Sequence, residues 1–265
     1  MNKGQLRVLA GSLIGGMVFF FGVIYFTIAT TMYNAQWTPG FVWFPIVTLG
    51  VLVVATIWVQ RHWDIGLSMA SNVPWGRVWA LAITVTIAGT AVSTLQGVYN
   101  ETTKEVYTGP AGVSPALVLF YVYSMSIMPG LIAEVGFRGI MQTGLQKFLG
   151  MWAAITIVAI INTFAHIGYA DLRTGWLMVV ILACWGYLRA VSGSLIPALV
   201  AHGGHALIIT TALWFWGPWD RGDMGTASVV SVAIIGIIAF ALSFYLGRSI
   251  MAHRDASALP VSKST

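Results

Sequence analysis

The chain has 265 residues, 58% of them hydrophobic and only 8% charged, with a mean hydropathy of +0.83. About a quarter of a soluble domain is charged, so this composition excludes one and implies an integral membrane protein. The net charge of +5 comes from basic residues that stand singly, leaving no stripe to grip nucleic acid, and a lone Cys184 excludes an internal disulfide or a thiolate metal cluster.

Crossing the hydrocarbon takes about 20 mostly apolar residues. Eight such spans are predicted, at 8–32, 41–59, 77–98, 115–145, 150–169, 174–190, 193–216 and 226–247. The expected fold is therefore all-α, a polytopic membrane helical bundle forming one integral membrane domain over 1–265. The first span follows "MNKGQLR", but its apolar run exceeds the about 7–15 residues of a signal sequence, so a retained anchor is expected. Turn-rich pieces such as "NAQWTPG", "YADLRTG" and "WGPWDRGD" separate spans, and no internal repeat stands out.

An even number of spans puts both ends on one side. That side would hold Lys3, Arg7, Arg61, Arg77, Lys147, Arg189, Arg248, Arg254 and Lys263, against Lys104, Arg173 and Arg221 on the other. The positive-inside rule then predicts cytoplasmic termini. Tryptophans such as Trp58, Trp63, Trp75, Trp79 and Trp152 fall near span ends, as interface anchors do.

The fourth span contains "PGLIAEVGFRGIMQ". A charge at the centre of a membrane helix costs about 2.5–3.5 kcal/mol on insertion scales. Arg138 is the one Lys or Arg expected inside the spans, and Glu134, four residues earlier, is its natural partner. A structural ion pair and a functional site both fit that pair. Pro129 removes one helix hydrogen bond and is expected to kink the span, widening a cavity beside Glu134. His166 lies in "NTFAHIGYA" of the fifth span, and His202 and His205 in "SLIPALVAHGGHALI" of the seventh. The last two are three apart and hence expected on one helix face. Gly203 and Gly204 suit close helix packing.

"AEVGFRGIMQTGLQ", "INTFAHIGY" and "SGSLIPALVAHGGHAL" together resemble the three motifs of the CAAX protease and bacteriocin-processing family, over about residues 115–210. The resemblance implies an intramembrane endopeptidase with no nucleophilic side chain. In that family a Glu and the second-motif His activate water, the third-motif His and an Asn or Asp stabilise the oxyanion, and an Arg orients the second Glu. Chemically, a carboxylate beside an imidazole can deprotonate water, and donors aimed at a developing oxyanion count most in a dry site. Carried over here, Glu134, His166 and His202 are the candidate catalytic residues, Arg138 orients, and His205 is a candidate oxyanion donor.

Two positions depart from the family pattern. Counted back from Arg138, Glu134 is the second Glu of the motif and Ala133 stands at the first. Counted on from His202, Ala206 stands where the oxyanion partner is expected. Three readings remain open: a divergent endopeptidase in which Glu134 and His166 activate water, a non-catalytic relative that binds a membrane peptide or partner protein, and a transporter lined by the same groups. Expected partners are the lipid bilayer and a membrane-associated peptide or protein substrate, in the plasma membrane of a prokaryote. Glu134, His166, His202 and His205 are also ligand types that zinc accepts, although no H-E-x-x-H is present to require it.

Overall fold

In the computed structural model the described residues are 2–32, 43–99, 113–166, 174–216 and 224–258, and all the regular structure among them is helical. The elements are α1 (Lys3–Met32), α2 (Trp43–Trp63), α3 (Trp75–Tyr99), α4 (Pro115–Ala133), a π-helical segment (Glu134–Gln142), α5 (Thr143–Ala165), α6 (Gly175–Ser192), α7 (Ile196–Trp216) and α8 (Thr226–Ala258). Lys104, Arg173, Arg221 and Lys263, used in the charge count, lie outside the described residues.

Among the described residues six helical runs are long and apolar enough to cross a membrane, which makes the chain a polytopic, multi-pass helical membrane protein. The sequence reading had eight spans. The fourth and fifth are joined in one run, Pro115–Ala165, and the described apolar part of α7, Ile196–Ala212, is shorter than the rest. The join has a local cause. The expected boundary between the two spans, residues 145–150, stays helical up to residue 149. The break comes at Gly150, whose φ of 75° and ψ of 174° interrupt α5 with a conformation that glycine adopts cheaply. Pro115 opens α4 where a missing N–H costs nothing, behind the Ser114 side chain, which accepts from the Leu117 N–H. Pro129 sits within α4, and the helix continues through it.

α6 is the central helix, packing on α3, α5, α7 and α8. α3 and α8 pair extensively, and α1 crosses the π-helical segment. That crossing is close because both sides are glycine: a Cβ on Gly16 would fall 2.7 Å from the Gly136 carbonyl oxygen, and one on Gly136 would fall 3.0 Å from that of Gly16. Small residues let membrane helices approach in this way.

Candidate active site

The segment Glu134–Gln142 is the part of the fold least expected from an ordinary helical reading. Its nine residues are all buried, in a backbone form that is rare and frequent at functional sites. Thr143 Oγ1 donates to the Arg138 carbonyl, five residues back, at 3.1 Å. Glu134, Arg138 and Gln142 recur at intervals of four. Arg138 Nη2 donates to the Leu182 carbonyl at 2.9 Å and Gln142 Nε2 to the Gly186 carbonyl at 2.7 Å, so two donors four apart meet two α6 acceptors four apart. Each buried bond offsets the desolvation of its donor and sets the register of the two helices.

Glu134 and Arg138 are both 0% exposed, with Arg138 Nη1 lying 3.3 Å from Glu134 Oε1. The expected ion pair is therefore present, within a π-helical turn. The same Oε1 is 2.9 Å from His202 Nδ1. A carboxylate only accepts, so with Glu134 ionised Nδ1 carries the proton, and the neutral imidazole keeps its lone pair on Nε2. Trp185 of α6 stacks on the His202 ring at 3.8 Å and 18° and also lies 5.8 Å from the Arg138 guanidinium carbon. The other edge of His202 faces Gly130, where a Cβ would fall 2.9 Å from Cδ2 and 2.9 Å from Nε2. Glycine lets this edge of the ring approach α4 closely, and the His202 side chain retains 12% exposure.

The remaining candidates divide. His166 caps the C-terminus of α5, its Nδ1 2.7 Å from the Asn162 carbonyl. Among the described residues no hydrogen bond joins it to Glu134. His205 turns away from the pair. Its Nδ1 meets Thr90 Oγ1 and its Nε2 meets Ser93 Oγ, each at 3.2 Å on α3. Three residues along a helix bring side chains to neighbouring positions without making them face one partner, and here Trp185 contacts both rings. Ala133 is buried in an apolar cluster with Phe20, Ile132, Phe137 and Met141. Added Cβ atoms at Gly203 and Gly204 would meet only ordinary contacts, so neither glycine is required for packing.

The proposed zinc set does not assemble. Among the described residues no group of three or more His, Cys, Asp or Glu side chains could hold a metal ion, and His205 is committed to α3.

Several residues escaped the sequence reading. Arg189 is buried at 6% exposure, so Arg138 is not the only enclosed cation. Its Nη2 donates to the Ile65 carbonyl at 3.2 Å and to Thr143 Oγ1 at 3.1 Å. Trp185 and Gly130 had no polar signal to mark them, although Gly130 belongs to "MPG". Gln142 continues the four-residue row and was legible in principle. Asn162 is buried, and among the described residues its amide atoms have no hydrogen-bond partner, as is true of Glu134 Oε2.

Residues 115–208 match the family model for Rce1-like proteins, described as type II CAAX prenyl endopeptidase Rce1-like. Comparisons with curated proteins and with solved structures gave no match. The matched residues run from the start of α4 to the middle of α7 and contain Gly130, Glu134, Arg138, His166, Trp185 and His202. Over residues 115–208, about a third of its length, the chain is similar to the Rce1-like type II CAAX prenyl endopeptidase family.

Proposed function

We propose that the protein is an intramembrane endopeptidase that hydrolyses a peptide bond of a membrane-associated substrate, with Glu134 and His202 acting as its water-activating pair. The observation that carries this reading is the 2.9 Å contact between Glu134 Oε1 and His202 Nδ1, with the Nε2 edge of the ring lying close against Gly130. A carboxylate on one imidazole nitrogen fixes the tautomer and makes the other nitrogen a better placed base.

In the proposed reaction His202 Nε2 takes a proton from water as its oxygen attacks the scissile carbonyl carbon. Glu134 stabilises the imidazolium that forms, and Arg138 orients Glu134 through their ion pair. The C–N bond then breaks, and the Nε2 proton passes to the leaving amine. His166 is the second imidazole. Its Nδ1–H is held by the Asn162 carbonyl, and its Nε2, when protonated, donates to the oxyanion. This arrangement moves the base from the Glu134 and His166 pair expected from sequence to Glu134 and His202, and it gives the oxyanion to His166 in place of His202 and His205.

The surrounding topology belongs to the same proposal: both termini face the cytoplasm of a prokaryote, and the substrate enters from the bilayer. A second reading, a non-catalytic relative that binds a membrane peptide, draws on Ala133 in its apolar cluster and on the complete burial of Glu134. Proteoliposomes containing membrane-anchored reporter peptides decide between them. The peptidase reading expects release of the soluble fragment by the wild-type protein and none by His202→Ala of equal thermal stability. No release from either favours the non-catalytic relative, and equal release from both would remove His202 from the reaction.

A further inference from the structure

The central helix α6 has a second face. Side chains advance about 100° per residue along a helix, so Ala183 and Tyr187, two residues either side of Trp185, point about 200° away from it. There they line a groove of about 280 Å³ with Val85, Trp152, Cys184 and Phe244. The Tyr187 ring stacks with Trp152 at 5.3 Å and 14° and with Phe244 at 6.3 Å and 18°, making a row of three near-parallel rings. The Ser243 hydroxyl in the lining is already bonded to Thr84 Oγ1 and to the Ala239 carbonyl. It therefore has little to offer water, and the groove suits a hydrocarbon chain.

Charge marks one end of it. Arg248 follows Phe244 by four residues and so stands one turn further along the same side of α8. Arg77 Nη1 donates to Ser249 Oγ at 2.8 Å, which holds a second guanidinium at the same level of α8, on the residue that follows Arg248. Both arginines are exposed, and among the described residues neither is ion-paired. Two guanidinium groups beyond one end of an apolar groove complement a phosphate ester attached to an acyl chain. Basic pockets between membrane helices hold anionic lipid headgroups by the same chemistry.

We propose that this groove binds one anionic phospholipid of the surrounding bilayer, its acyl chain along Trp152, Tyr187 and Phe244 and its phosphate on Arg77 and Arg248. The site is separate from the Glu134–His202 pair and does not depend on the peptidase reading. It joins α3, α5, α6 and α8 through one ligand, on the back of the helix that supports Arg138 and His202.

Native mass spectrometry of the purified protein with equal amounts of dioleoyl phosphatidylglycerol and dioleoyl phosphatidylcholine tests it. Phosphatidylglycerol adducts should predominate, and Arg77→Ala and Arg248→Ala should each lower that preference about fivefold. Ala183→Trp, which fills the groove with the arginines intact, should remove the adduct while the helical circular dichroism is retained. A phosphatidylglycerol brominated on its acyl chain should quench a fluorescence component that Trp152→Phe lacks. Equal adducts of the two lipids, a preference that survives in the double arginine variant, or an unquenched Trp152 would each overturn the proposal.

Discussion

Ala133 and Glu134 are neighbours in the chain with opposite surroundings. Ala133, 1% exposed, is enclosed by Phe20, Ile132, Phe137 and Met141, whereas Glu134 Oε1 meets Arg138 and His202. The methyl group completes an apolar surface, and the carboxylate completes a polar one. The family's first motif position is thus built over with hydrocarbon.

Ala133→Glu should therefore lose stability and gain no hydrolysis. A carboxyl group among those aromatic and aliphatic side chains finds no donor, and an unpartnered buried polar group costs about 1–3 kcal/mol or more. The apparent Tm in detergent should fall, and cleavage of a membrane-anchored peptide should not rise. A large gain in cleavage would mean that the missing Glu, and not its successor, limits the reaction.

Removing the carboxylate of the ion pair should be costly for a different reason. Glu134→Ala leaves the Arg138 guanidinium fully buried with only the Leu182 carbonyl and the face of Trp185, and breaking such a pair typically costs about 3–5 kcal/mol. Replacing both residues by Leu should recover much of that stability without recovering cleavage. If the double variant keeps full activity, the pair does not belong to the site.

Gly130→Ala examines the Nε2 edge of His202. The new Cβ would fall 2.9 Å from Nε2, so the ring must shift or be covered. Cleavage should drop at least tenfold while thermal unfolding changes little, since the substitution in a helix otherwise favours alanine by about 1 kcal/mol. Unchanged kinetics would show that this edge is not where the reaction takes place.

The histidines should separate in the same assay. His202→Ala and His166→Ala should abolish cleavage, whereas His205→Ala should act mainly on stability, since it breaks contacts to Thr90 and Ser93 on α3. Equal loss of activity at equal stability in all three would return His205 to the site.

Orientation can be read with reporter fusions at residues 105 and 265. The excess of Lys and Arg on one side predicts a cytoplasmic reporter at 265 and an external one at 105. The same label at both positions would refute that arrangement.

Composition and hydropathy alone determined that this chain lives in a membrane as helices, because hydrocarbon admits few other ways to satisfy a backbone. The spacing of Glu134 and Arg138 also determined their pairing, since an isolated charge in that setting needs a nearby partner. Tertiary structure decided the rest. Which histidine meets Glu134 depends on how α7 is rotated against the π-helical segment, and local spacing, which treats His202 and His205 as near equivalents, does not encode that rotation. The π-helical backbone itself, the enclosure of Ala133 by α1, and the roles of Gly130 and Trp185 arise only when helices far apart in sequence pack together. Apolar residues and glycines announce no partner in a sequence. Their contribution comes from the shape they leave beside a polar group, and that shape exists only in the assembled bundle.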